Sequence, residues 1–134
     1  MDNMDFTKPL WNLGHYKGVN DQLEREVGDF LRANTNVPKL YSNDLRHQFA
    51  SAVYTQNKGD LAAKLLGEAN EFLDGFTPGN TPYDTETDRI NNQIGREYGA
   101  KYADMPRGQL LYKLLTDYET NKQKRKDLLR SKGF

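Results

Sequence analysis

The chain has 134 residues, enough for a single domain with one modest core. Only 36% of the residues are hydrophobic, so that core must be thin. The 19 Lys and Arg residues balance 19 Asp and Glu residues, which argues against a dedicated nucleic-acid binder but leaves room for a local basic patch. Because the chain has no cysteine, it forms neither a disulfide nor a cysteine-ligated zinc site.

Targeting signals are not predicted from this sequence. Residues 1–5 are polar and acidic, and no basic segment precedes an apolar run there, so no secretory signal is expected. No stretch approaches the roughly 18 apolar residues of a spanning helix, so we also expect no membrane span.

Residues 1–18 lack helical periodicity and contain several apolar and aromatic side chains. We predict an irregular N-terminal arm, which packs on its own domain or, as the less favoured alternative, on a partner. The next segment, from about Asn20 to Ala33, has apolar residues at helical spacing and predicts a first helix. A loop follows and ends at Tyr41.

Two helices are predicted in the middle of the chain. The first covers about 42–59, and its apolar residues occupy most of its circumference, which is typical of a central helix. The second covers about 60–74 and contains Gly67, which costs ~1 kcal/mol relative to alanine and so indicates close approach of another helix. Its apolar face comprises Leu61, Ala62, Leu65, Leu66, Ala69, Phe72 and Leu73.

A fourth helix is predicted over about 86–98, with Asp84 or Thr85 as its N-cap and Gly99 as its terminating residue. Its apolar stripe is narrow, and its other face is crowded with polar residues, including two adjacent asparagines. Since such a helix is poor by intrinsic propensity, contacts with the rest of the fold must favour it.

The last predicted helix begins near Pro106, a favoured first helical residue, and continues to about Arg130. No segment shows the alternation of a strand, so the fold class is predicted to be all-α: a compact bundle of about five helices with an irregular aromatic N-terminal arm. A single domain, 1–134, comprises this arm (1–18), a helical core (19–120) and a basic helical C-terminal end (121–134).

Arg46 and His47 lie within the largely apolar central helix. Both side chains are costly to bury unless they are paired. As functional groups, His47 is a candidate general base or ligand and Arg46 a candidate anion-binding residue. As structural groups, they belong to a satisfied polar network, and the residue pattern alone favours this second interpretation.

Polar residues on the third and fourth helices are further candidates. Glu68 borders the apolar face and Glu71 lies further out; two carboxylates can perform acid and base chemistry, although solvated glutamates are commoner. Asp88, Asn92 and Arg96 are spaced at i, i+4 and i+8, so they line one helix face. This face can hold a metal-bound water, a phosphate or a sugar, or it forms a buried polar seam.

Neither a metal nor any other cofactor is predicted. His15 and His47 are the only histidines, and neither belongs to a His-x-x-x-His or Glu-x-x-His pair. The chain has no glycine-rich phosphate loop after a strand and no Gly-x-Ser-x-Gly sequence. The polar face of the fourth helix is expected to meet the central helix through a contact between Arg46 and Asp88.

The C-terminal end is rich in positive charge. Its basic residues are Lys122, Lys124, Arg125, Lys126, Arg130 and Lys132. The first four are candidates for contact with nucleic acid or with a partner protein. The commoner outcome is a solvated helix end whose cations complement the helix dipole.

An ordered series of residues covers about 44–99. It reads Arg46-His47-x-Phe49-x-Ser51-Ala52, Tyr54-Thr55, Gly59, Ala62-Ala63, Leu66-Gly67, Glu71, Asp84, Asp88, Asn91-Asn92-x-Ile94-Gly95-Arg96 and Gly99. This series resembles a group of small helical domains that occur at the C-terminal ends of bacterial toxin-like secreted proteins. Similar stand-alone versions occur among the structural genes of tailed phages.

The resemblance implies an all-helical fold with a shared polar centre. That centre would comprise Arg46, His47, Glu71, Asp88, Asn91, Asn92 and Arg96. The sequence departs from the toxin-type pattern at Asn70-Glu71, where a His-Glu pair is expected. Loss of this histidine, together with the stand-alone length, favours the phage-type member over a catalytic or metal-binding one.

Three functions are therefore considered. The favoured one is a structural or accessory component of a tailed-phage particle, in the tail or ejected with DNA, which binds other virion proteins and resides in the virion. The alternative is a small, otherwise cytoplasmic, hydrolase of cell-wall, lipid or nucleic-acid substrate, with His47 as base, Glu71 or Asp88 as its partner or acid, and Arg46 and Arg96 stabilising negative charge. An adaptor with weak DNA contact through its C-terminal helix ranks last because the net charge is zero.

Overall fold

The computed structural model describes residues 22, 25, 26, 29, 33, 42–74 and 78–134. In chain order, its helices are α1 (Ser42–Lys58), α2 (Asp60–Asp74), α3 (Pro82–Lys101), α4 (Arg107–Thr116) and α5 (Tyr118–Ser131). No strand occurs among these residues, which confirms the all-α class. The five isolated positions within 22–33 are helical, whereas the predicted arm over 1–18 lies outside the described residues.

Helix α1 is the centre of the bundle and packs against α2, α3 and α4. Its apolar residues recur at helical spacing, so a single broad face buries them against the inner sides of α4 and α5. The main core comprises Leu45, Phe49, Ala50, Ala52, Val53, Leu110, Leu111, Leu114 and Tyr118. The predicted central position of this helix is confirmed, and its observed bounds agree with the predicted ones to within a residue.

Helices α1 and α3 run in the same direction and cross at two glycines of α3. A Cβ atom at Gly95 would overlap the backbone oxygen of Gln48, and one at Gly99 would overlap the backbone oxygen of Ala52. The prediction that Gly99 ends this helix is therefore wrong. Gly99 lies inside α3, which continues to Lys101. Glycine is needed here because it allows two backbones to approach closely, and not for a helix stop.

Helix α3 begins four residues earlier than predicted. Thr81 is its N-cap: the Thr81 hydroxyl accepts a hydrogen bond from the Asp84 backbone N–H at 3.1 Å, and the Asp84 carboxylate accepts one from the Thr81 N–H at 3.1 Å. Neither Asp84 nor Thr85 is the N-cap. Pro82 occupies the first helical position, where its missing N–H has no consequence.

The predicted single helix from Pro106 to Arg130 is divided at Asp117, between α4 and α5. The division turns α5 towards α3, where Leu129 packs against Ile90 and Ile94. The hydroxyl of Tyr98 donates a hydrogen bond of 2.7 Å to the Asp117 carboxylate and stabilises the turn. Two short helices thus cover two different faces of the bundle.

Helix α2 has the predicted bounds but buries less apolar surface than predicted. Leu61, Leu65 and Phe72 are exposed, whereas Ala62, Ala63 and Leu66 are buried. At Gly67, a Cβ atom would lie 3.4 Å from the side-chain nitrogen of Asn92, which is an ordinary van der Waals distance, so the packing of α2 on α3 does not require glycine at this position. No helix among the described residues is long and apolar enough to cross a membrane.

Candidate functional site

Three helices bring a histidine and two carboxylates together. His47 comes from the middle of α1, Glu71 from the last turns of α2 and Asp88 from the second turn of α3. One imidazole nitrogen and one oxygen of each carboxylate all lie within 4.8 Å of one another. We call these three residues, together with Arg46 and Asn92, the His47 centre.

Most of the His47 centre is buried. Glu71 is 1% exposed, Asn92 4% and His47 8%. The Asp88 side chain is 19% exposed, and Arg46 is half-buried. Solvent therefore reaches the centre on the side where Asp88 and Arg46 lie.

The hydrogen bonds of His47 define its tautomer. Its Nδ1 lies 3.2 Å from the side-chain oxygen of Asn92, which also accepts a hydrogen bond of 3.1 Å from the Ser51 hydroxyl. Because an amide oxygen only accepts, Nδ1 carries the hydrogen. Arg46 Nη2 lies 3.2 Å from Nε2, and a guanidinium only donates, so Nε2 presents its lone pair.

The electrostatic surroundings of His47 agree with this tautomer. Burial lowers the pKa of His47 below its ordinary value, because the charged imidazolium is poorly solvated in the interior. The negative charge of Asp88 opposes this shift and the positive charge of Arg46 adds to it. Burial thus favours the neutral imidazole, the form that acts as a base or as a metal ligand.

Asp88 and Arg46 meet at the same atom of His47. Asp88 Oδ1 lies 3.3 Å from Nε2, about as close as Arg46 Nη2. Arg46 and Asp88, which were expected to contact each other, both lie against Nε2 of His47. The structure therefore unites five of the seven residues that the resemblance implied for the polar centre.

Asn91 belongs to a different buried cluster. Its amide nitrogen donates to Asp44 Oδ1 at 2.8 Å, and its oxygen accepts from Gln48 at 3.0 Å. The other Asp44 oxygen accepts hydrogen bonds from Tyr118 at 2.8 Å and from Arg125 at 2.5 Å. We call these five residues the Asp44 network. Adjacent residues of a helix point about 100° apart, which separates Asn91 from Asn92.

Arg96 also lies away from the His47 centre. Its Nε is 3.4 Å from Asp60 Oδ1 at the start of α2, whereas Glu71 is near the end of that helix. Eleven residues of helix separate Asp60 from Glu71, which corresponds to roughly 16 Å. The i, i+8 spacing placed Arg96 on the same face as Asp88 correctly but did not bring it to the same site.

The basic C-terminal residues have several different environments. The Arg125 side chain is 14% exposed and pairs with Asp44, so it is removed from the exposed basic surface. Lys124 pairs with Glu97 at 2.5 Å, Lys122 is half-buried and Lys126 is exposed. The surface available for nucleic acid or an acidic partner is therefore smaller than the sequence suggested.

Four residues that contribute to these clusters were not selected as site residues from the sequence: Asp44, Gln48, Ser51 and Tyr118. Ser51 supports Asn92, and Asp44 is the hub of its network. The sequence gives little indication that Asp44 is buried, because an acidic residue in the first turn of a helix usually lies in solvent and complements the helix dipole. Ser51 lies on the polar side of α1, opposite its apolar residues, and the structure shows that this side contacts α3.

Comparison of this chain with protein-family models, with curated proteins and with solved structures finds no match. The resemblance to toxin-like and phage domains therefore stays a prediction. Function has to be inferred from the chemistry of the His47 centre.

Proposed function

We propose that this protein is a small hydrolase and that the His47 centre is its active site. The observation that carries the proposal is the convergence of His47, Glu71 and Asp88, from three helices, within 4.8 Å. The substrate class is a bacterial cell-wall, lipid or nucleic-acid component, as implied by the resemblance to toxin-like domains.

The cost of this arrangement supports a functional origin. Charged groups in a protein interior stabilise the fold less than well-packed apolar residues of similar size. A chain with only 36% hydrophobic residues has little core to spare, yet it encloses Glu71 at 1% exposure beside a histidine and a second carboxylate. A buried histidine with a lowered pKa beside carboxylates is characteristic of catalytic centres.

His47 is the general base of the proposed reaction. Asn92 fixes the ring through Nδ1. The lone pair on Nε2, which Arg46 contacts at 3.2 Å in this structure, takes the proton of an attacking water once the guanidinium moves to the substrate. The water oxygen then forms a bond to the carbonyl or phosphoryl centre of the substrate, and the leaving-group bond breaks. The protonated imidazole, which the Asp88 carboxylate 3.3 Å from Nε2 stabilises, then returns this proton to the leaving group, and Arg46 stabilises the developing negative charge.

The test is bacterial growth during expression of the protein, in the cytoplasm and exported to the periplasm. His47→Ala is compared with Asn91→Ala, which alters an equally buried side chain of the Asp44 network. Both variants are first shown by circular dichroism to be folded. The proposal expects toxicity in one compartment, lost with His47→Ala and kept with Asn91→Ala.

Purified protein is then incubated with peptidoglycan, phospholipid vesicles, DNA and RNA. Turnover of one of these that requires His47 identifies the substrate class. Absence of turnover on all four, together with absence of toxicity in both compartments, contradicts the hydrolase.

A second candidate is an accessory component of a tailed-phage particle that acts by binding other virion proteins. Two exposed leucines on one face of α2 favour it: Leu61 is 63% exposed and Leu65 42%. Adjacent exposed apolar side chains are typical of protein-binding surfaces. Mass spectrometry of purified phage particles tests this candidate function. Absence of the protein from the particles contradicts it.

A further inference from the structure

The His47 centre has the spacing of a metal site. Ligands in tetrahedral coordination at bond lengths of about 2.0–2.1 Å lie about 3.3 Å apart. Asp88 Oδ1 lies 3.3 Å from His47 Nε2, and the Glu71 oxygen completes a set that spans no more than 4.8 Å.

In the tautomer assigned above, neither Nε2 of His47 nor the facing oxygen of Asp88 carries a hydrogen. Nε2 presents a lone pair, as its contact with Arg46 requires, and an ionised carboxylate oxygen also only accepts. Two acceptors that face one another at 3.3 Å need a positive charge between or beside them. In this structure Arg46 supplies it, so an ion and the guanidinium compete for Nε2.

Asn92 and Ser51 provide a second, independent indication. A histidine that ligates a metal almost always donates its other ring N–H to a fixed acceptor, which sets the tautomer and the ring orientation. His47 Nδ1–H donates to the Asn92 oxygen at 3.2 Å, and the Ser51 hydroxyl holds the same oxygen at 3.1 Å. The ring is thus already oriented with Nε2 towards Asp88.

We infer that the His47 centre binds one divalent transition-metal ion through His47 Nε2 and one oxygen each of Glu71 and Asp88. One nitrogen and two carboxylate oxygens suit Zn²⁺ and Mn²⁺, whereas Mg²⁺ prefers an all-oxygen set with several waters. Sequence spacing did not predict this site because each ligand comes from a different helix. When bound, such an ion lowers the pKa of a coordinated water and so supplies a nucleophile near neutral pH.

The inference rests on the proposed hydrolase function and deepens it, because it names the cofactor of the same site. It also changes one role: with an ion bound, Nε2 would be a ligand, and the ion would activate the attacking water in place of the imidazole. Binding is nevertheless measured without any substrate. Saturable binding without turnover leaves the metal site intact and contradicts the hydrolase. Turnover by metal-free protein, together with absence of binding, overturns the metal site and leaves the hydrolase.

The experiment is calorimetric titration of the full chain, freed of metal by chelator dialysis, with ZnCl₂ and separately with MnCl₂ and MgCl₂. We expect one equivalent of Zn²⁺ to bind, Mn²⁺ to bind more weakly and Mg²⁺ to bind at least tenfold more weakly than Zn²⁺. A raised thermal unfolding temperature accompanies binding, because the ion binds only the folded state.

Three variants locate the site. Asp88→Asn is expected to weaken Zn²⁺ binding at least tenfold. Glu97→Gln, which changes an exposed carboxylate of the same helix, and His15→Gln, which removes the other histidine, leave it unchanged. Equal affinity in the wild type and Asp88→Asn, or loss of binding with His15→Gln, overturns the inference.

Arg46→Gln tests the competition directly and does not depend on loss of a ligand. Removal of the guanidinium frees the Nε2 lone pair, so Zn²⁺ is expected to bind more tightly, by about tenfold. Unchanged or weaker binding in this variant, shown to be folded by circular dichroism, counts against Nε2 as a ligand.

Discussion

Two buried polar clusters lie side by side between α1 and α3, and they are built on different principles. In the Asp44 network, both oxygens of the central carboxylate accept hydrogen bonds, and Arg125 provides a matching charge at 2.5 Å. In the His47 centre, a lone pair on Nε2 faces an oxygen of Asp88 at 3.3 Å. The first arrangement is a structural connection, and the second gathers acceptors around one point.

The two clusters are separated by one residue step along α3. Asn91 is fully buried and joins α1 to the Asp44 network, whereas its neighbour Asn92 orients His47. The comparison teaches that burial and hydrogen bonding alone do not distinguish a structural network from a candidate site. The two clusters differ in composition: the His47 centre brings a histidine and two carboxylates within 4.8 Å of one another, whereas the Asp44 network is built around a single carboxylate.

The largest effect is expected from Asp44→Ala. The Arg125 side chain is only 14% exposed, and this change removes the carboxylate that pairs with it. Tyr118 and Asn91 also lose the acceptor of their hydrogen bonds. Breaking a buried ion pair by removing one partner costs about 3–5 kcal/mol. Urea-induced unfolding measures the loss, with exposed Asp104→Ala as the control. A loss below about 1 kcal/mol would show that the Asp44 network is not the structural cluster.

Gly95→Ala is expected to disturb both clusters together. The added methyl overlaps the Gln48 carbonyl and pushes α3 away from α1, at a cost of about 1–3 kcal/mol. Gly108→Ala, where a Cβ meets nothing within 4 Å, is the matched control and is expected to gain about 0.5–1 kcal/mol. Chemical denaturation of both variants gives the comparison. Equal stabilities would mean that the close helix crossing is not required.

Replacing each of the two adjacent asparagines by alanine in turn is expected to separate stability from function. Asn91→Ala is expected to cost about 1–3 kcal/mol, because it leaves buried partners on Asp44 and Gln48 unsatisfied. Asn92→Ala is expected to reduce metal affinity or hydrolysis by about 10–100-fold, because it releases the ring of His47. Unfolding and zinc titration are measured on both variants. The distinction between the clusters fails if Asn91→Ala affects zinc binding as strongly as Asn92→Ala.

The smallest effect is expected at Tyr98, whose hydrogen bond to Asp117 lies outside both clusters. Burial, together with the hydrogen bond to Asp117, raises the pKa of Tyr98 to about 12. The unfolded chain loses this proton near pH 10 while the folded chain keeps it, so the contribution to stability is complete below pH 10 and is lost as the pH rises towards 12. Tyr98→Phe should therefore show a shallower loss of stability between pH 10 and 12. An identical pH profile for the two proteins contradicts the assignment.

Secondary structure was predictable where a helix is defined by its own residues. The bounds of α2 match the prediction, and those of α1 agree to within a residue, because both depend on local apolar periodicity. Prediction was wrong where the packing partner decides. Gly99 lies inside α3 because a neighbouring backbone needs the space, and α5 turns at Asp117 because Leu129 packs on α3.

The candidate site was predictable in its residue types but not in its membership. Arg46, His47, Glu71, Asp88 and Asn92 were selected from the sequence and meet in the structure. Asn91 and Arg96 were selected by the same criteria and lie elsewhere.

Residue chemistry and the 3.6-residue helical period were enough to predict the all-α class, the positions of the central helices and the costly polar groups among apolar ones. Which of those polar groups share a site depends on tertiary packing. His47 and Asn92 are 45 residues apart in the chain, and their meeting depends on the parallel packing of α1 and α3, which no local pattern encodes.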